Sequence, residues 1–217
     1  MMTQRPVDRL ILKLAIPTII SMTITAMYNL ADSYFIGHLS TQATAGVGIA
    51  FAYQSFIQAI GFFFGSGSGN YISRALGAKK EQNAEKMAST GFFSALLAGI
   101  AIGLAGLIFI KPLATLLGAT PDIESYAIDY LKYLLIAAPF MISQMVLNNQ
   151  LRLQGNASQA MIGLVSGAII NIILDPVFIY TLELGVSGAA IATLVSQIIS
   201  WSILLIVTTF KGNVHIR

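Results

Sequence analysis

Asn171-Ile-Ile-Leu-Asp175-Pro176 places an amide, a carboxylate and a helix breaker inside an apolar run covering residues 161–180. A run of that length crosses a bilayer as one helix. A carboxylate there costs about 2.5–3.5 kcal/mol on insertion scales, so it marks either an ion pathway or a polar contact that holds helices together. Asp175 is therefore the first functional candidate. Asn171 lies four residues earlier on the same helical face, and Gly163 and Gly167 continue the ladder. One face is small, then polar, then acidic. Ile162, Leu164, Ile169, Ile170, Ile172 and Ile173 offer the other face to lipid or an apolar neighbour.

Composition sets the class. The 217 residues are 56% hydrophobic and 10% charged, with a mean hydropathy of +0.77. Soluble domains carry about a quarter charged residues, so this is a polytopic membrane protein. The net charge of +3 does not imply nucleic acid, because the cations sit in short clusters between apolar runs, where membrane topology puts them. With no cysteine, disulfides and thiolate chemistry are excluded. His38 and His215 stand far apart at segment ends, and no metal-ligand spacing is present.

Six apolar spans are expected, at about residues 10–37, 44–72, 87–110, 126–151, 161–180 and 186–210: an all-α fold with residues 1–217 forming one six-helix unit. The first is too long and too polar inside for a signal peptide, so it is expected to stay in the mature chain. Along it Thr18, Ser21, Thr25, Tyr28 and Asp32 recur at steps of three and four, a polar seam ending in a second intramembrane acid. Pro17 precedes the seam and should loosen the helix. The second span carries Gln54, Gln58, Gly61 and Gly65 at the same spacing. Its run Gly65-Ser-Gly-Ser-Gly69 lacks the Lys-Ser/Thr of a phosphate loop and fits neither G-x-G-x-x-G nor G-x-S-x-G, so packing or bending is expected of it.

Ala95, Gly99 and Gly103 form a small-residue stripe on the third span, which Lys111-Pro112 is expected to close. Thr120 and Pro121 suit the N-cap and first position of the next helix, and Asp122 and Glu124 favour its N-terminus. On that fourth span Tyr126, Tyr130 and Tyr133 suit an interfacial belt. Gln144 and Asn148 lie on its far half, and Met141 and Met145 suit either core or one wall of a promiscuous cavity. On the sixth, Ala189, Thr193 and Gln197 stand four apart. Six spans return the chain to its starting side. Of the 12 Lys and Arg, only Lys111 and Lys132 fall opposite the termini, so both termini are expected in the cytoplasm.

Asn29-Leu-Ala-Asp32-Ser-Tyr-Phe-Ile-Gly37 after Pro17, Gly69-Asn-Tyr-Ile-Ser-Arg-Ala-Leu-Gly-Ala-Lys79, the Asn171–Pro176 stretch and Gly188-Ala-Ala-Ile-Ala-Thr193 together resemble the multidrug and toxic compound extrusion (MATE) transporters. The resemblance runs along the whole chain. It implies a bacterial plasma-membrane exporter of cationic amphipathic compounds, not an enzyme, driven by protons or sodium and needing no cofactor. It also implies coupling-ion roles for Asp32, Asn171, Asp175 and Thr193, whose oxygens would suit a proton relay or a sodium ion. Tyr28, Asn29, Gln54, Gln58, Met141, Gln144, Met145 and Asn148 are the expected supporting or substrate-cavity residues, and Pro17 and Pro176 the expected hinges. MATE transporters have two six-helix lobes, so a second lobe is the expected partner, supplied by a carboxy-terminal half or by a second copy, with residues 211–217 as the start of an interlobe linker. Two alternatives remain. One is a lipid or glycan flippase of related architecture. The other is an intramembrane aspartyl protease, whose motifs would need Tyr before Asp32 and Gly-x-Gly before Asp175.

Overall fold

A computed structural model describes residues 7–211 and Val214. Arg5, His215 and the expected linker, apart from its first residue and Val214, lie outside the described residues. The elements are α1 (Val7–Gly37), α2 (Thr41–Gly77), α3 (Glu81–Ile108), α4 (Ile110–Leu116), α5 (Glu124–Leu153), α6 (Ala157–Pro176), a π turn (Val177–Thr181) and α7 (Gly185–Lys211). All but α4 are long and apolar enough to cross a membrane, six spans among the described residues. The helices overrun the expected spans because backbone hydrogen bonding continues past the point where side chains become polar.

The helices do not pack in chain order. α5 stands at the centre against α2, α3 and α7, while α6 bridges α7 to α1. The central window of α5 is 67% buried, against 11% for α1. Small-residue stripes explain the arrangement. Gly46, Gly61, Gly65 and Gly69 of α2 lie against Tyr126, Met145, Asn149 and Leu153 of α5. The α3 stripe does the same, Gly99 against the Pro139 backbone and Gly103 against the Leu135 carbonyl. Gly163 and Gly167 meet Leu204 and Ser200 of α7. Without a Cβ the axes approach closely, and dispersion contacts accumulate where lipid offers no hydrophobic gain. The Gly65–Gly69 run is thus a packing surface within an unbroken helix.

Three local expectations need correction. Lys111-Pro112 does not close the third span. The break falls at Phe109, and Pro112 sits in the first turn of α4, where its missing N–H would have no partner in any case. Thr120 is not the N-cap of α5. That helix starts at Glu124, because the Thr120 carbonyl accepts from both Ile123 and Glu124 at 3.0 and 2.9 Å and closes a separate turn first. The tyrosines are not a common belt: Tyr130 is 4% exposed and faces inward.

Backbone donors close the ends of α5 and of the π turn. At the end of α5, Gly155 adopts φ +86°, and the amides of Asn156 and Gly155 donate to Leu151 and Arg152, each at 2.9 Å. This left-handed closure satisfies the last carbonyls without side chains. After Pro176, the Leu182 amide reaches back five residues to Val177 at 2.9 Å, the widened turn that follows a proline lacking a donor.

The α3–α5 contact has a direct test. Gly99→Leu drives a side chain into the Pro139 backbone, whereas a Cβ at Gly48 meets nothing within 4 Å. Gly99→Leu is expected to cost about 1–3 kcal/mol and lower the unfolding midpoint in detergent, with Gly48→Leu unchanged. Equal midpoints for the two variants would refute the central role of this contact.

Candidate functional site

Two adjoining features occupy the space between α1, α2, α5, α6 and α7. The first is a cavity of about 330 Å³. Tyr28 and Asn29 of α1, Gln54 and Gln58 of α2, and Met141, Gln144, Met145 and Asn148 of α5 all line it. Ser196, Gln197 and Ser200 of α7 and Asn171 of α6 complete much of the wall. The eight residues singled out for a cavity are therefore brought to one space. Several of their polar groups already have partners. Gln54 Nε2 donates to the Tyr28 hydroxyl at 3.4 Å, joining α2 to α1. Gln144 Nε2 donates to Ser200 Oγ at 2.9 Å, and Asn148 Nδ2 to the Ala160 carbonyl at 3.0 Å. These amides brace helices while presenting polar surface to the cavity.

The second feature is the acid cluster. Asp32 is 3% exposed and Asp175 fully buried. Tyr130 donates to Asp32 Oδ2 at 3.1 Å. Asn171 Nδ2 shares one amide between Asp175 Oδ1 at 3.3 Å and Thr193 Oγ1 at 3.4 Å. Those bonds are long, and donors run out: Asp32 Oδ1, Asp175 Oδ2 and Asn171 Oδ1 are buried without a hydrogen-bond partner. Buried acceptors are normally satisfied, because an unpaired one costs about 1–3 kcal/mol. The two carboxylates also lie close enough to interact electrostatically. An all-oxygen cluster with more acceptors than donors fits a proton or a hard monovalent cation. No group of three or more His, Cys, Asp or Glu that could hold a metal ion occurs among the described residues.

Asp32, Asn171, Asp175 and Thr193 thus come together from α1, α6 and α7. Pro176 directly follows Asp175, whereas Pro17 lies about four turns before Asp32. α1 runs on through Pro17, whose carbonyl accepts from Ser21 at 2.8 Å, and Pro176 is the last residue of α6.

Sequence reasoning missed two residues. Tyr130 is the donor that anchors Asp32. Stepping back from Asn148 by fours and threes through Gln144, Met141, Ala137 and Leu134 arrives at Tyr130, so helical register was the available signal. Arg152, counted only as a topology cation, lines the cavity one turn beyond Asn148. The charged residues that are buried, Asp32 and Asp175, do not line the cavity, whose one charged lining residue among those described is the partly buried Arg152.

Six membrane-length helices around a central α5, with a polar cavity beside a buried acid cluster, define one lobe of a polytopic membrane transporter. The MatE family model matches residues 17–177, and the chain belongs to the multidrug and toxic compound extrusion family. Multidrug export protein MepA of Staphylococcus haemolyticus is 34% identical over 200 residues, 92% of this chain and 44% of that protein. MepA of Staphylococcus aureus (strain MRSA252) is 30% identical over 194 residues, 89% and 43% respectively. A crystal structure of MATE in the bent conformation aligns with a TM-score of 0.89 at 34% identity, over 97% of this chain and 47% of that one. A MOP superfamily transporter from Pyrococcus furiosus, in which reverse polarity of the binding pocket suggests a different function, aligns with a TM-score of 0.90 at 34% identity, over 96% and 46%. The chain spans about half the length of these relatives.

Whether the cavity is water-filled can be measured on a chain that lacks cysteine. Gln58→Cys and Met145→Cys should react with a water-soluble maleimide at least tenfold faster than Ile142→Cys, which is fully buried. Equal rates at all three positions would mean that the cavity is closed to solvent.

Proposed function

We propose that this chain is the amino-terminal lobe of a secondary active multidrug exporter, which moves cationic amphipathic compounds out against an inward flow of protons or sodium. The observation that carries the proposal is the trio of unpartnered buried oxygens on Asp32, Asn171 and Asp175. A proton or a sodium ion supplies the positive charge that this cluster lacks. The relatives named as multidrug export proteins, each about twice as long, support the reading and favour a second six-helix lobe.

Coupling follows from position. Asn171 belongs to both the acid cluster and the cavity wall, so ion uptake and cargo binding act on one side chain. When the ion leaves, the two carboxylates repel. That repulsion acts between α1 and α6, which pack on each other, while most of α1 lacks other cover within this lobe. Pro17 and Pro176 reduce backbone hydrogen bonding in those same helices. The loaded and unloaded clusters therefore favour different α1–α6 packings, the two-state element that alternating access requires.

The test is dye extrusion from proteoliposomes holding the full-length transporter under an imposed ion gradient. Asp175→Asn keeps the shape, removes the ionisable group and is expected to abolish coupled extrusion. Thr193→Ala and Tyr130→Phe each delete one neutral hydrogen-bonding group and should slow it about two- to tenfold, matching a net loss of about 0.5–1.5 kcal/mol. Undiminished extrusion by Asp175→Asn would remove the ion site from this lobe.

The proposed orientation puts the termini in the cytoplasm of the bacterial cell. Cysteines introduced as Lys79→Cys and Asp122→Cys, at opposite ends of the bundle, should be labelled from opposite sides by an impermeant thiol reagent, the first only from within. Labelling of Asp122→Cys from the cytoplasm would reverse the topology.

A further inference from the structure

Arg152 stands in the last turn of α5, half-buried, on the cavity wall. Its guanidinium has no hydrogen bond or ion pair among the described residues. The remaining lining is amide, hydroxyl, thioether and hydrocarbon. A guanidinium standing alone among neutral lining groups is the place on this wall where an anionic group of a bound molecule would pair. Two ordinary duties of such an arginine are already filled or misplaced. The carbonyls at the end of α5 are taken by backbone donors from Gln154, Gly155 and Asn156, so Arg152 is not needed as a cap. A duty toward headgroups on the outer surface does not account for its place on the cavity wall.

The cavity is therefore polarised. At one end is the cation of Arg152. At the other, Asn171 and Tyr28 give onto the acid cluster, since Asn171 donates to Asp175. Met141 and Arg152 are eleven residues apart on α5, about 16 Å along the axis, the length of a drug-sized amphiphile. A monocation satisfies only one end. A guanidinium presents a planar fork of donors that matches a carboxylate in two parallel hydrogen bonds.

We infer that Arg152 is a substrate-binding residue that recognises a carboxylate, and that this lobe takes zwitterionic amphiphiles in preference to simple cations. The inference rests on reading the cavity as the cargo site. In the bound complex the carboxylate pairs with Arg152, the aromatic or aliphatic body lies along Met141 and Met145, and the cationic group sits toward Asn171.

The experiment compares two probes that differ in one ester: rhodamine 110, with a free benzoate, and rhodamine 123, its methyl ester. Each is titrated by fluorescence anisotropy into the full-length transporter in detergent at neutral pH, wild type against Arg152→Gln. The Kd for rhodamine 110 is expected to rise at least tenfold, while that for rhodamine 123 stays level or falls as a like charge is removed. Arg152→Lys should weaken rhodamine 110 selectively by a few-fold, and it serves as the test if Arg152→Gln does not insert. Equal changes for both probes, as expected if Arg152 braces a second lobe, would overturn the inference, as would no change for either. Binding in detergent needs no ion gradient, so failure of carboxylate recognition and failure of coupled export are read separately.

Discussion

The close approach of α2 and α3 to α5 is the contact on which the rest of the structure depends. In a bilayer, helices gain little by hiding apolar surface from lipid, so they associate where they can touch along their length. Gly61, Gly65 and Gly69 on one side and Gly99 and Gly103 on the other give α5 two such surfaces. Gln150 fixes the register, donating to Ser68 Oγ of α2 at 3.0 Å and to the Ala88 carbonyl of α3 at 3.2 Å. With α5 held from both sides, its remaining face carries Tyr130, Met141, Gln144, Asn148 and Arg152. That face is shared by the cavity and the acid cluster, so a packing constraint on one side of α5 lays out the chemistry on the other.

Polar groups are distributed unevenly along this framework. Where helices have to be held, donors find acceptors: Gln144 with Ser200, Asn148 with the Ala160 carbonyl, and Trp201 Nε1 with Ser143 Oγ at 2.8 Å. At Asp32, Asn171 and Asp175 acceptors are left over, as they are at Gln144 Oε1 and Gln150 Oε1, but here two of the three oxygens belong to carboxylates. In low dielectric that imbalance is unfavourable, and a mobile positive charge is the natural way to relieve it. Arg152 is the opposite case, a donor group with no hydrogen bond or ion pair among the described residues. Acceptor excess at one end and donor excess at the other make the interior a polarised path and not a uniformly greasy pocket.

Much of this was legible in the residues. Six spans follow from hydropathy and length. The ladder from Gly163 to Asp175 and the seam from Thr18 to Asp32 follow from helical period, since residues four apart share a face whatever lies opposite. The cavity residues were legible for the same reason, because amides recurring on the apolar helices α2 and α5 have to be sheltered from lipid. Errors arose where a local pattern had two physical uses. A tyrosine near a helix end serves an interface or a buried carboxylate, and Tyr130 serves the carboxylate. A basic residue at a span boundary serves topology or a cavity, and Arg152 turned inward. The Thr120 hydroxyl had the chemistry of a cap, but a backbone turn closed first.

By itself, the sequence determined that the chain is a helical membrane protein with two buried acids and small-residue stripes, because period and hydropathy are properties of a single helix. Only the tertiary structure decided that the fourth span is the centre, that α1 rests on α6, that Tyr130 anchors Asp32 and that Arg152 faces the cavity. Periodicity defines a face, but the partner of that face is set by which helices fit together most closely.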